Sequence, residues 1–146
     1  MTTSLVDLRI QSGIATLALN RPEKRNAMSD DMRAEFISAL ERVAADKTIR
    51  ALVLTGNGRG FCAGGDVSGA DDAHAALMKA QLNHAREMRD GMHRVIQAVH
   101  RVDKPVVAMI NGPAVAGGLT LALACDFRIA ADTAKLGDTS GKFGLL

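Results

Sequence analysis

Two glycine-rich segments could supply backbone N–H groups to an electron-rich oxygen atom. The first, GNGRGFCAGGD at 56–66, follows the apolar run IRALVLT at 49–55 and has five glycines in eleven residues. The second, NGPAVAGG at 111–118, follows the apolar run VVAMI at 106–110. Glycine allows close approach of a ligand to the main chain. The two units could each direct one N–H to the same oxygen, as in an oxyanion hole, or they could be no more than tight turns.

The order and spacing of several motifs resemble the enoyl-CoA hydratase/isomerase (crotonase) superfamily. The matching segments are NRPEKRNAM at 20–28, FCAGGD at 61–66, NGPAVAGG at 111–118 and the pair Cys125-Asp126. The resemblance implies an α/β fold, a crotonase-like spiral of stacked β-β-α units that occupies 1–146 as one core. It also implies an enzyme of fatty-acid or carboxylic-acid CoA metabolism that acts on an acyl-CoA thioester through an enolate, with coenzyme A as part of the substrate and no other cofactor.

The resemblance also assigns roles to individual residues. It implies that the backbone N–H groups of Ala63 and Gly117 are the oxyanion-hole donors. Arg25 and Ala27 match the segment that borders the CoA nucleotide and pantetheine arm, where an arginine suits a phosphate partner; a solvated Arg25 is the alternative. The other positions that the resemblance places beside the substrate are Gly64, Gly65, Asp66, Val67 and Gly118.

Two further side chains in the first segment could react. Asp66 could act as a nucleophile or general base, but the resemblance favours a structural place beside the CoA moiety. Cys62 would need a nearby base to become a reactive thiolate, and the sequence identifies none.

The chain departs from the family at the two positions where hydratases carry catalytic glutamates. Thr120 and Ser140 occupy them, and neither hydroxyl is a competent acid or base near neutral pH without help. Asp138 is the nearest carboxylate to the second position. Hydration, double-bond isomerisation, decarboxylation and thioester hydrolysis therefore all stay open. The alternative hypothesis is a non-catalytic acyl-CoA binder that has lost the acid–base pair.

Periodicity predicts the elements that position these loops. A hairpin of strands is predicted at 5–10 and 14–19, and Ser29 is a predicted N-cap for a helix that runs to about Ala45. Further predicted strands are 49–55, 106–110, 127–131 and 134–136, a loop is predicted at 67–73, and further predicted helices are 75–102 and 118–124. The apolar stripe of the long helix, which includes Met78, Leu82, Met88 and Met92, favours core packing over a binding groove. Its neighbouring histidines, at 74, 84, 93 and 100, are interpreted as solvated or flanking residues.

Composition narrows the function classes. The chain has 146 residues, a formal charge of +2 and neither Trp nor Tyr, so it lacks the basic and stacking surface of a nucleic-acid binder. Two cysteines are too few for a disulfide scaffold and form no metal pattern, which favours reduced thiols and a cytoplasmic protein. No apolar run approaches a membrane span and the first residues do not resemble a secretory signal.

The resemblance implies more chain than is present. Family members continue beyond the position of Leu146 through C-terminal helices that cap the acyl pocket and build a trimer. We therefore expect the C-terminal helical part to be missing, the full-length protein to be a homotrimer or hexamer, and residues 1–146 alone to expose apolar surface and associate.

Overall fold

The computed structural model describes residues 4–66 and 91–139, whose main feature is a five-stranded sheet. In chain order the elements are β1 (Val6–Gln11), β2 (Ile14–Leu19), α1 (Asp30–Ala45), β3 (Ala51–Gly56), α2 (His93–His100), β4 (Val106–Ile110), β5 (Ala114–Val115), α3 (Gly117–Leu123), β6 (Phe127–Ala130) and β7 (Leu136–Gly137). The sheet has the order β1-β2-β3-β4-β6, and β5 pairs with β7 separately. Only β1 runs antiparallel to its neighbour; the other pairs of the large sheet are parallel.

The predicted hairpin is confirmed. β1 and β2 pair from Val6 opposite Leu19 to Gln11 opposite Ile14. Ser12 and Gly13, the two residues between the strands, both have positive φ, of 52° and 78°. This conformation matches the right-handed twist of the strands that it connects. The hairpin places β2 beside β3, so that the apolar side chains of both strands enter the core.

Helix α1 covers one face of the sheet, and its predicted start is confirmed. The Ser29 side chain accepts a hydrogen bond from the Met32 N–H at 3.3 Å, as an N-cap does. The side chains that carry the predicted stripe, Met32, Phe36, Leu40 and Val43, are all buried. Because these positions recur at the helical period, one face of α1 packs on the sheet and on α2 while the other faces solvent.

Lys104 closes the C-terminal end of α1. Its Nζ donates to the carbonyl oxygens of Val43, of Ala44 at 3.2 Å and of Asp46 at 2.6 Å. A cation at this end of a helix satisfies carbonyls that have no partner within the helix and is favoured by the helix dipole. The lysine therefore ties the segment before β4 to α1.

We expect Lys104→Met to lower the free energy of unfolding by about 1.5 kcal/mol, the lower end of the range for hydrogen bonds to charged groups. Urea unfolding followed by circular dichroism measures the change. Lys47→Met is the matched control, since Lys47 is exposed and close to the same helix end. It should change stability by less than about 0.5 kcal/mol. Equal losses in the two variants would contradict the capping role.

Some predicted boundaries differ from the structure. Helix α2 ends at His100, two residues before the predicted end, and His93 and His100 are exposed as interpreted from the sequence. Met92 is buried, which confirms core packing for that methionine. The other predicted residues of this stretch, namely Val67 and the loop to 73, His74, Met78, Leu82, His84 and Met88, lie outside the described residues.

The prediction for the end of the chain needs one correction. The predicted strand 134–136 is shifted, because Leu136 and Gly137 pair with Ala114 and Val115 of β5, which the sequence did not indicate. Several large apolar side chains of the described residues are exposed, and the most exposed are Phe127 and Ile129 on the edge strand β6, at 62% and 65%. No helix in the described ranges is long and apolar enough to span a membrane.

Candidate functional site

The two glycine loops meet directly beyond the ends of β3 and β4. The Phe61 and Cys62 N–H groups both donate to the Pro113 carbonyl, at 3.0 and 3.2 Å, and the Val115 N–H donates to the Cys62 carbonyl at 3.1 Å. Because β3 and β4 are parallel neighbours, the loops that follow them leave the same edge of the sheet. The loops are therefore joined by backbone hydrogen bonds, as a shared oxyanion site requires.

Glycine is required at this junction by close packing. A Cβ atom on Gly118 would lie 2.1 Å from the Cys62 carbonyl oxygen. Gly64 has a φ of +92°, and a Cβ atom there would lie 3.0 Å from the backbone nitrogen of Gly117. The start of α3 thus lies against the first loop with no space for a side chain at Gly118 or Gly64.

The first predicted donor does not fit this geometry. The Ala63 N–H donates to the Arg25 carbonyl at 3.1 Å, so it is directed at the 21–28 segment. The sequence does not show which N–H groups of the loop are used internally, so the donor implied by the resemblance needs correction. The Arg25 side chain is exposed, which is compatible both with a solvated arginine and with a phosphate partner.

Gly65 presents an N–H on the opposite side of the same segment. Met28 and Gly65 form a parallel bridge in which the Met28 N–H donates to the Gly64 carbonyl and the Asp66 N–H donates to the Met28 carbonyl. In this pattern the N–H of the bridged residue faces away from its partner strand. The Gly65 N–H therefore faces away from Met28, and it donates to no other residue within 4–66 and 91–139.

Gly117, the second expected donor, has an N–H group that no described residue accepts. It is the first residue of α3, so its N–H has no acceptor within the helix, and none is found elsewhere in the described part of the chain. The preceding Ala116 has a φ of +48° and a ψ of −125°, an uncommon conformation for a residue with a Cβ atom. Such conformations persist only where the surrounding structure enforces them, and they are common at functional sites. Here the Ala116 N–H donates to the Gly137 carbonyl at 3.1 Å.

Asp66 has a structural partner that the sequence does not reveal. Its carboxylate forms an ion pair with the guanidinium of Arg21, which also donates to the Ala27 carbonyl at 3.2 Å. Both charged side chains are largely buried, at 15% and 18% exposure. This supports the structural role of Asp66 over a nucleophilic one. Arg21 belongs to the NRPEKRNAM motif, but its partner lies 45 residues away in sequence.

Among the described residues both thiols donate to backbone carbonyl oxygens, and neither is bonded to a side chain that could act as a general base. Burial raises the pKa of Cys62 to about 11 and that of Cys125 to about 12, and Cys62 Sγ lies 3.3 Å from the Asn26 carbonyl, to which it donates. Both cysteines are free and buried. A buried protonated thiol is a poor nucleophile, so neither cysteine is a candidate for covalent catalysis.

We expect the free energy of unfolding to fall as the pH rises above about 9. The unfolded chain releases the Cys62 proton near the ordinary pKa of 9.0, while the folded chain keeps it until about 11. The contribution of this thiol to stability is therefore fully present below the unfolded pKa and is lost as the pH rises through the folded pKa. A difference of one in pKa corresponds to about 1.4 kcal/mol, so this thiol accounts for about 3 kcal/mol. Urea unfolding at a series of pH values measures the slope. The Cys62→Ala variant should show a shallower slope between pH 9 and 11, and an unchanged slope would contradict the assignment.

The two family glutamate positions supply no acid or base among the described residues. Thr120 is exposed, and its hydroxyl donates back to the Ala116 carbonyl at 3.4 Å. Ser140 lies outside the described residues. Within 4–66 and 91–139 no group of His, Cys, Asp and Glu side chains could hold a metal ion.

Known proteins with similar sequence and structure identify the family of this chain. The family model described as enoyl-CoA hydratase/isomerase matches residues 9–146. The 1,2-epoxyphenylacetyl-CoA isomerase of Escherichia coli is 37% identical over 137 residues, 94% of this chain and 51% of that protein. The 4-chlorobenzoyl coenzyme A dehalogenase-1 of an Arthrobacter species is 40% identical over 122 residues, 84% of this chain and 43% of that protein.

A solved structure agrees with these matches. The crystal structure of an enoyl-CoA hydratase/carnithine racemase from Magnetospirillum magneticum has a TM-score of 0.83 at 32% identity, and the match covers 99% of this chain and 53% of that one. The chain thus spans about half the length of the proteins it matches.

Proposed function

The chain belongs to the enoyl-CoA hydratase/isomerase family, and we propose on that basis that its glycine loops form the thioester-carbonyl site of an enzyme acting on acyl-CoA. The family resemblance and the crotonase-like α/β fold expected from the sequence are confirmed. The observation that carries the proposal is the junction of the two loops. It leaves the N–H groups of Gly65 and Gly117 without acceptors among the described residues.

In the proposed mechanism both N–H groups donate to the thioester carbonyl oxygen. Negative charge accumulates on that oxygen when the substrate becomes an enolate, so donors already in place stabilise the transition state more than the ground state. Each donor of this kind contributes about 3 kcal/mol. Backbone donors held by the loop junction need no rearrangement during the reaction, and glycine leaves the approach to them open.

The proposed class of substrate is an acyl group linked to CoA. The names of the two relatives support it, because each specifies a coenzyme A thioester. The positions of the two family glutamates do not determine which reaction is carried out on that substrate. Thr120 is bonded to its own helix and cannot serve as a carboxylate base, so hydration by a glutamate pair has no support from this position. This is the observation that favours the second candidate function, a non-catalytic acyl-CoA binder.

A panel of CoA thioesters distinguishes the candidates. Proton exchange is measured with saturated thioesters, and hydration with 2-enoyl thioesters. Isomerisation is measured with 3-enoyl thioesters, and decarboxylation with malonyl-type thioesters. Calorimetric titration measures binding without turnover. We expect the acyl thioesters to bind more tightly than free CoA, because only they have the carbonyl oxygen that the loops bind. Equal affinities for thioesters and free CoA would reject the carbonyl site, and binding without turnover of any substrate would favour the second candidate.

The homotrimer or hexamer expected from the family, and the cytoplasmic location, stay proposals. The exposed Phe127 and Ile129 on the edge strand β6 support association, since edge strands with apolar side chains are seldom left uncovered. Light scattering on the 146-residue chain tests this. A monodisperse monomer would contradict it.

A further inference from the structure

The first glycine loop is held by a side chain that is entirely inside the protein. Asn26 is the one fully buried polar residue in the described ranges. Its Oδ1 accepts from the Arg21 N–H at 2.9 Å, and its Nδ2 donates to the Asn57 carbonyl at 3.0 Å and to the Gly60 carbonyl at 2.9 Å. Every polar atom of this amide is therefore used, and two of its three bonds go to the loop that follows β3.

A second asparagine holds the same loop from the opposite side. Asn111, the first residue after β4, directs its Nδ2 at the carbonyls of Gly56 at 2.8 Å and Gly58 at 3.1 Å, with the Gly60 carbonyl at 3.5 Å. Its Oδ1 accepts from the Gly56 N–H at 3.3 Å. The Gly60 carbonyl thus lies between two asparagine amides that come from different parts of the chain.

Side-chain and backbone hydrogen bonds together connect the two loops at more than one point. Asn111 begins the second loop and holds the first by its side chain, while two residues later the Pro113 carbonyl accepts from Phe61 and Cys62. Glycines at 56, 58 and 60 would otherwise give this stretch many conformations, and ordering each residue has an entropic cost. The asparagines bond mainly to carbonyl oxygens of the loop, so they fix its shape without occupying the Gly65 N–H.

We propose that Asn26 and Asn111 are positioning residues that set the separation between the Gly65 and Gly117 N–H groups. This inference rests on the proposed function, because the separation matters only if both groups bind one oxygen. Both side chains bond to the backbone, so each would act through the loop and not on the substrate. Because a displacement of about 1 Å at a reacting centre can lower a rate about 100-fold, loosening either clamp should reduce kcat much more than it raises KM.

The variants Asn26→Asp and Asn111→Asp test this with little change of shape. Each replaces the donating NH₂ by an oxygen that faces carbonyl oxygens, so attraction becomes repulsion. We expect kcat to fall about 100-fold on whichever thioester the enzyme converts, with KM changed less than about threefold. Asn111→Ser keeps one hydrogen-bond donor, so its kcat should lie between that of Asn111→Asp and that of the wild type.

Val43→Ala is the control for a general loss of stability. Val43 is buried in the last turn of α1 and belongs to neither loop. Its truncation removes core contacts, so it lowers stability while leaving the asparagine bonds in place. We expect its kcat to match the wild type at temperatures where the protein is folded. Asparagine variants with wild-type kcat, or with losses no larger than that of Val43→Ala, would overturn the proposal.

Amide hydrogen exchange gives a readout that does not depend on turnover. The Cys62 and Val115 N–H groups join the loops, so they should exchange about tenfold faster in the Asp variants, as expected for losing roughly one hydrogen bond of stabilisation. In Val43→Ala any faster amide exchange at Cys62 and Val115 should be matched by faster exchange of the amides in the core of the sheet. If the wild type binds no thioester, the proposed function fails, and exchange alone then decides whether the asparagines set the loop geometry. Unchanged exchange at Cys62 and Val115 would overturn that as well.

Discussion

Replacing Gly118 by alanine should destabilise the chain by about 3 kcal/mol, the upper part of the range for inserting atoms into a packed interior. The added methyl group would lie 2.1 Å from the Cys62 carbonyl oxygen and 2.7 Å from its carbon. These are backbone atoms that also accept the Val115 N–H, so they cannot move without separating the loops. Thermal and urea unfolding measure the loss.

Gly65→Ala is the matched control. Gly65 also lies in a glycine loop, but a Cβ atom there meets nothing within 4 Å and its φ is not positive. We expect its stability to stay within about 0.5 kcal/mol of the wild type. Equal stabilities of Gly118→Ala and Gly65→Ala would contradict the close approach of α3 to the first loop.

The largest effect on activity is expected for Gly117→Pro. Proline is well tolerated at the first residue of a helix and lacks the N–H that the proposed mechanism needs. Loss of one oxyanion donor lowers kcat by about 100- to 1,000-fold. Steady-state kinetics on the thioester that the panel identifies measures the change, and circular dichroism shows whether the variant is folded.

Gly117→Ala isolates the N–H from the added side chain. It keeps the N–H, and its Cβ atom would lie 3.3 Å from Cγ and Cε of Met92, a flexible side chain that can adjust, and in ordinary contact with Gly64 Cα at 3.4 Å. We expect this variant to retain most of the wild-type kcat. A folded Gly117→Pro with wild-type kcat would mean that the second donor is misassigned, and equal losses in both variants would assign the effect to the side chain.

Much of the scaffold could be predicted because its signals are local. The hairpin follows from alternating apolar residues around Ser12 and Gly13, and α1 follows from the Ser29 cap and a stripe at helical spacing. Strand β4 has the predicted bounds, 106–110. In each case residues within one element determine its conformation, so the sequence contains the relevant information.

The details of the site depend on pairings between distant segments. The resemblance implies Ala63 as the first donor. The bridge between Met28 and Gly65, which directs the Gly65 N–H away from the neighbouring segment, is not visible in the sequence. For the same reason the sequence does not reveal the partner of Asp66. The two-residue strands β5 and β7 are too short to show a period, and they form only because the end of the described chain returns to the second loop.

The two asparagines of the clamp are noticeable in the sequence, although their role is not. Both belong to motifs that carry the family resemblance, NRPEKRNAM and NGPAVAGG. An asparagine next to glycine usually indicates a turn, which explains Asn111 without any longer-range function. Only the shared Gly60 carbonyl reveals that the two motifs hold one loop.

The most direct test of the central claim follows the amide protons of the proposed donors by NMR. The ¹⁵N-labelled protein is titrated with acetyl-CoA and, separately, with free CoA, which lacks the thioester carbonyl. A new hydrogen bond moves an amide proton downfield, so we expect downfield shifts of the Gly65 and Gly117 amides with acetyl-CoA. These shifts should be smaller or absent with free CoA, and the Ala63 amide should change little with either ligand. Shifts at Ala63 with Gly65 unmoved, or no difference between acetyl-CoA and free CoA at either glycine, would contradict it.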